Sequence, residues 1–258
     1  MNRFENKKVV ITGSSEGLGR QIALQFAKEG AYVILVDRSV AEETMKLIHK
    51  CNGKCDFVLC DISDEEQVVN MGLMVKKISK GKIDILINNA GFNGKANLIE
   101  NMKLEDWNKT LGINITGTMM VSREIIPMLK ANGKATIVNL SSNTGKRGLP
   151  FRSDYVCSNW ARIGFTQTLA LELVNYNIRV NAVCPGPIEG ARIEQLVKMH
   201  SDAEGSSFEE MHKAWENVPM KRFMKPEEVA NVILFLASDD SNAMTGQAIN
   251  ITGGLIMS

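Results

Sequence analysis

Three glycines in one short loop carry the strongest chemical signal in this sequence. Thr12-Gly13-Ser14-Ser15-Glu16-Gly17-Leu18-Gly19 follows the apolar run Lys8–Thr12 and opens a helix-forming stretch. Glycine at 13 permits a tight turn, Gly17 lets backbone approach phosphate oxygens, and Gly19 lets helix pack close to strand. The helix N-terminus would then offer free N–H groups and a partial positive charge to a pyrophosphate, with Ser15, Glu16 and Leu18 in the same cradle. In a strand–loop–helix–strand setting this pattern predicts a dinucleotide site. The next apolar run ends in Val36-Asp37, eighteen residues past Gly19. A carboxylate there accepts both adenosine ribose hydroxyls and repels a 2′-phosphate, so NAD is expected over NADP. Arg38, next door, argues the other way, because a guanidinium could hold that phosphate.

The elements that must position this loop recur along the whole chain. Short runs rich in Val and Ile, at Lys8–Thr12, Tyr32–Asp37, Asp56–Asp61, Ile83–Asn88, Ala135–Ser141, Arg179–Cys184 and Ala248–Ile251, have the look of strands covered on both faces. Between them lie helix candidates, among them Gly19–Glu29, Trp107–Lys130, Ser153–Asn175 and Pro226–Ala237. Proline suits a first helical turn and Glu227-Glu228 favours the positive helix end. The alternation predicts an α/β fold, a doubly wound parallel sheet of seven strands with helices on both faces. One domain over residues 1–258 is expected, with the polar, helical stretch 188–221 inserted as a substrate lid.

Composition narrows the function class. The chain has 258 residues, 44% hydrophobic and 23% charged, and 30 Lys+Arg against 29 Asp+Glu leave a formal charge of +1. So balanced a charge argues against nucleic acid or an anionic membrane surface as partner. No apolar run is long enough to span a bilayer, and the start is not that of a signal peptide, so a cytoplasmic protein is expected. Five cysteines without paired spacing suit a reducing compartment. Cys51, Cys55 and Cys60 lack the tight knuckle spacing of a zinc site, and His200 and His212 are expected at the surface, so no metal is assigned. Met199, Met211, Met220 and Met224 are expected to pack the lid against its own body.

Further marks along the chain give a resemblance. Thr12-Gly-x-x-x-Gly17-x-Gly19, Cys60-Asp61-Ile62, Asn88-Asn89-Ala90-Gly91, Asn114, Ser141-Ser142, Tyr155 and Pro185-Gly186 occur in the order and spacing of the short-chain dehydrogenase/reductase family, which the chain resembles over essentially its whole length. The resemblance implies a Rossmann-fold oxidoreductase interconverting an alcohol and a ketone or aldehyde with NAD. Asp61 and Ile62 would flank the adenine, Asn89, Ala90 and Gly91 would line the cofactor, and Pro185, Gly186 and the Ile188 backbone would meet the nicotinamide. Asn114 would hold a relay water, Ser142 would bind the reacting oxygen and Tyr155 would be the acid/base. It also suggests that the helices Trp107–Lys130 and Ser153–Asn175 pair between subunits of a homotetramer or homodimer.

One position departs from the family pattern. A lysine four residues after the tyrosine is expected, and Tyr155-Val156-Cys157-Ser158-Asn159 has an amide instead. A phenol ionises near pH 10, so base work at neutral pH needs a nearby positive charge. Asn159 shares a helix face with Tyr155 and could still hydrogen-bond the nicotinamide ribose, but it is neutral. The cations Lys146, Arg147, Arg152 and Arg162 are not placed by spacing to replace the lysine. Three readings compete: a naturally modified but active enzyme, expected to gain turnover from Asn159→Lys; a dinucleotide-binding scaffold with weak or no turnover; or an introduced substitution. For substrate, Glu189, Arg192 and Arg152 are candidates, the arginines for an anionic group. The competing expectation places Arg192 on a solvated helix face with Glu194.

Overall fold

The computed structural model of the protein describes residues 2–257. The strands are β1 (Lys8–Thr12), β2 (Tyr32–Asp37), β3 (Lys54–Leu59), β4 (Ile85–Asn88), β5 (Ala135–Leu140), β6 (Ile178–Pro185) and β7 (Ala248–Ile251). The helices are α1 (Gly17–Lys28), α2 (Glu42–Lys50), α3 (Glu65–Ser79), α4 (Leu104–Leu111), α5 (Thr118–Asn132), α6 (Ser153–Leu173), α7 (Ala191–Glu204), α8 (Phe208–Glu216) and α9 (Pro226–Ala237). All strand pairs are parallel and the sheet order is β3-β2-β1-β4-β5-β6-β7. The order reverses between β1 and β4, and ligands of such sheets bind in the crevice beyond that switch point.

Alternation along the strands splits the core into two layers. Val9 and Ile11 of β1 pack with Ile22 and Phe26 of α1 and Ile233 of α9. Val10 faces the other way, with Val68 of α3, Val121 of α5 and Leu169 of α6. This is the expected Rossmann fold, helices on both faces of a seven-stranded parallel sheet. The two edge strands depart from expectation: β3, paired only with β2, leaves Leu59 58% exposed, and β7, paired only with β6, is partly exposed along its length.

The stretch Trp107–Lys130 is not one helix. It divides into α4, a widened π-type turn at Gly112–Gly117, and α5. Gly117 explains the close packing there, since a Cβ at that position would stand 2.7 Å from the main-chain oxygen of Ile62.

Residues 188–221 form α7 and α8, whose Ile193, Val197 and Met211 make a small apolar cluster with Phe223 just beyond the stretch. Two expectations for this stretch are corrected. Met220 is 55% exposed and lies outside that cluster, and His200 is buried rather than at the surface. His200 lies 5.0 Å from the Trp215 ring, with Nε2 unpartnered, and burial followed by the Arg152 charge pulls it down to about 4, so it is neutral. Among the described residues no helix is long and apolar enough to cross a membrane.

Candidate active site

The glycine-rich loop joins β1 to α1 as its spacing requires. Gly13 and Gly17 take positive φ, 67° and 54°. A Cβ on Gly19 would lie 1.8 Å from the Gly13 oxygen, and one on Gly13 would lie 2.8 Å from Ala90 Cα. Only glycine allows these approaches. The first turn of α1 has no side-chain cap, so its orphan N–H groups face the cavity as phosphate donors. These are features a pyrophosphate fits.

The loop is braced from β4. Thr12 Oγ1 accepts from the backbone N–H groups of Asn89 and Ala90, both at 3.1 Å, and Asn89 Nδ2 donates to the oxygens of Thr12 and Gly13 at 2.9 and 2.8 Å. Asn89 therefore holds the cradle in shape. Asp37 ends β2 at the cavity wall and accepts from Ser15 N at 2.9 Å and Ser39 N at 3.0 Å. Each carboxylate oxygen keeps a lone pair for a ribose hydroxyl. Arg38 beside it is exposed.

One cavity of about 1230 Å³ joins these groups to the far side of the switch point. Its wall includes Gly13, Ser15, Glu16, Gly17, Leu18, Gly19, Asp37, Arg38, Asp61, Ile62, Asn89, Ala90 and Gly91, then Ser142, Tyr155, Pro185, Gly186, Ile188, Glu189, Arg152 and Arg192. Two expected site residues, Asn114 and Asn159, are not in it.

Asn114 sits in the widened turn, fully buried. Its amide accepts from Phe92 N at 2.7 Å and donates to Phe92 O and Ser158 Oγ, both at 3.0 Å. Its main-chain oxygen accepts from Thr118 Oγ1 at 2.8 Å and from Arg162 Nε at 2.6 Å. Both lone pairs of that carbonyl are taken, so the relay water expected at Asn114 has no main-chain acceptor left. Asn159 is 1% exposed, and its amide donates back to Tyr155 O at 2.8 Å. Its reach toward a cofactor ribose, expected from helix spacing, is not realised.

Tyr155 lies in the first turn of α6, where Asp154 fixes the helix start by accepting from Tyr155 N at 2.7 Å and Thr110 Oγ1 at 2.6 Å. Ser142, on the turn after β5, hydrogen-bonds the Tyr155 side chain. The Arg152 guanidinium stacks over the Tyr155 ring, 4.6 Å from its centroid. Burial pushes the phenol up, but Arg192, Arg152 and Arg162 and the Ser142 bond together pull it further down, leaving Tyr155 below the ordinary tyrosine value. Arg152 and Arg162, which spacing along the chain did not point to the lysine's place, are thus among the cations whose charge reaches Tyr155. Arg147 is exposed, and Lys146 Nζ donates to Ala248 O at 2.8 Å.

Arg162 is the residue that spacing arguments aimed at position 159 pass over. The signal was present: a charged residue on the stripe of α6 that leads on to Leu169 and Leu173, on the face shared with Tyr155. Arg192, at the start of α7, gives Nε to Asn93 Oδ1 at 2.8 Å instead of pairing with Glu194. Glu194 faces His212, 3.5 Å away.

A parallel doubly wound sheet with a glycine cradle at its switch point and a serine–tyrosine pair across the same cavity defines a dinucleotide-dependent oxidoreductase class. Comparison with known proteins agrees. A family model described as enoyl-(acyl carrier protein) reductase matches residues 13–256. The chain is 40% identical over 258 residues to a 3-oxoacyl-[acyl-carrier-protein] reductase of Thermotoga maritima, covering 99% of this chain and 100% of that one. An uncharacterized oxidoreductase of the same organism is 39% identical over 254 residues, covering 97% and 98%. An NAD+-bound xylitol dehydrogenase superposes with TM-score 0.93 at 32% identity, covering 97% and 99%, and an actinorhodin polyketide ketoreductase with NADPH does so at 0.91 and 31%, covering 96% and 97%. The chain belongs to the short-chain dehydrogenase/reductase family of oxidoreductases, which use nicotinamide cofactors.

Proposed function

We propose that this protein is an NAD-dependent oxidoreductase that interconverts a secondary alcohol and a ketone, or a primary alcohol and an aldehyde, on a small anionic substrate. The observation that carries this is the single cavity running from the glycine cradle and Asp37 to Ser142 and Tyr155. The cofactor, when bound, supplies or takes up the hydride. Ser142 Oγ donates to the reacting oxygen and holds it against Tyr155, and the Tyr155 hydroxyl gives that oxygen a proton or accepts one from it. Asp37 favours NAD, because a 2′-phosphate there would meet a carboxylate.

Arg152 and Arg192 support the anionic substrate. Arg152 is 1% exposed, its Nη2 donates to Asn93 O, and its Nε has no partner. A buried unpaired guanidinium donor in a cavity wall favours a carboxylate or another oxyanion. Residues 188–221 would close over that substrate as a lid on a single domain. The outer faces of α5 and α6, where Met119, Trp160 and Leu171 are exposed, support pairing between copies, as a dimer or tetramer. A cytoplasmic location fits the five unpaired thiols.

The test is a screen of hydroxy acids, polyols, sterol-like alcohols and the matching carbonyl compounds, followed by NAD(P)H absorbance. Turnover with NAD(H), fastest on acidic substrates, is expected. NAD binding without turnover on any compound would favour the scaffold alternative.

A further inference from the structure

Arg162 is a buried arginine whose partners carry no charge. It lies on α6 seven residues after Tyr155 and three after Asn159, on the same helix face, and is 4% exposed. Nε donates to Asn114 O, Nη1 to Leu140 O and Nη2 to Ala90 O, each at 2.6 Å, and Nη2 also reaches Thr118 Oγ1 at 3.2 Å. Four neutral acceptors fix the guanidinium plane without neutralising it. Burying a charge in this way costs several kcal/mol, on the order of the desolvation of one ion. Burial lowers Arg162 to about 10, which still leaves it charged at neutral pH.

The surroundings show where that charge is used. Ala90 and Leu140 line the cavity, and so does Arg162 itself. Gly91 adjoins the guanidinium, a Cβ there standing 3.5 Å from Nη1, at ordinary contact distance. Nε occupies the main-chain oxygen of Asn114, the residue expected to hold a relay water. Asn159, short and folded back onto Tyr155 O, leaves the adjacent turn without a second cation.

We propose that Arg162 takes the part of the lysine absent from position 159: a fixed, desolvated positive charge, moved one turn along α6, that readies the Tyr155 hydroxyl to ionise. Arg162 is in this sense a positioning residue acting through Tyr155. The other charged groups facing Tyr155 have different parts. Arg152 and Arg192 stand on the substrate side, where an anionic substrate would offset them; His200 is neutral; and the Asp154 carboxylate is spent on Thr110 and the Tyr155 N–H. Arg162 alone is locked in place by main-chain oxygens from three segments.

The inference rests on Tyr155 being the acid/base, but its test needs no substrate. Tyrosinate absorbance is titrated in the intact protein, with Tyr155→Phe supplying the difference that isolates Tyr155. Tyr32 does not interfere, because its bond to Asp56 pushes it up to about 12. The parent protein is expected to titrate Tyr155 below the free value of about 10. Arg162→Gln should raise that midpoint by about one unit or more, Arg162→Lys should largely keep it low, and Asn159→Lys/Arg162→Gln should bring it back down. Circular dichroism checks that each variant folds. A parent midpoint at or above about 10, or a folded Arg162→Gln protein titrating like the parent, overturns the proposal. A low midpoint that depends on Arg162 supports it, and absence of turnover would then count against the oxidoreductase function alone.

Discussion

The amide of Asn159 donates to the main-chain oxygen of Tyr155 at 2.8 Å, one turn back on α6, while its own Oδ1 is buried without a partner. Position 159 therefore supplies Tyr155 with neither charge nor reach. A lysine there would enter a helix face that already holds the Arg162 guanidinium, and two buried cations on adjacent turns repel. Asn159→Lys alone is expected to give no gain in turnover and to lower stability by about 1–3 kcal/mol, measured by chemical denaturation. This reverses what the motif suggests by itself.

Asp37 braces the loop through Ser15 N and Ser39 N and, on the proposed reading, also sets the cofactor preference. Asp37→Asn keeps an acceptor for one of these but removes the charge. NAD affinity is expected to fall about tenfold and NADP affinity to rise, narrowing the preference, as read from Kd values by fluorescence titration. An unchanged ratio would place the adenosine ribose elsewhere.

Much of this was legible in the sequence, for a physical reason. The spans of β1, β2, β7 and α9 follow from local patterns alone: Val/Ile runs bounded by turn residues, and a proline at a helix start followed by acids. The glycine cradle was equally plain, because Gly13 and Gly19 answer to steric demands within one loop. What failed was non-local. The widened turn at Gly112–Gly117 is set by packing on Ile62, fifty or more residues away in sequence, and nothing in a helical period reports it. His200 was misjudged because its polar type suggests solvent, whereas the folded chain buries it, and Arg162 was passed over because its spacing from Tyr155 is not that of the expected lysine.

Arg152 is expected to set substrate charge preference. Its unpartnered Nε and its place over the Tyr155 ring put it where an acidic substrate would bind. Arg152→Gln should raise KM for an anionic substrate about tenfold to a hundredfold while changing KM for a neutral analogue little. Equal effects on both would assign Arg152 to holding Asn93 and the loop.

His200 makes part of the stability pH-dependent. Its folded pKa, about 4, is below the unfolded value of about 6.5, so the unfolded chain binds the extra proton first. The contribution is present above about pH 6.5 and is lost as pH falls toward 4, amounting to roughly 1–3 kcal/mol across that window. Denaturant unfolding of the parent and of His200→Phe should diverge with pH only between those values. Parallel curves would mean that His200 is hydrated.

The most direct measurement for the whole account is the pH dependence of kcat/KM with NAD(H) and the best substrate of the screen, for the parent and for Tyr155→Phe. The account predicts activity at neutral pH governed by an ionisation below about 10, and a loss of at least a hundredfold on removing the hydroxyl. A Tyr155→Phe protein that keeps the parent's rate and profile would contradict it.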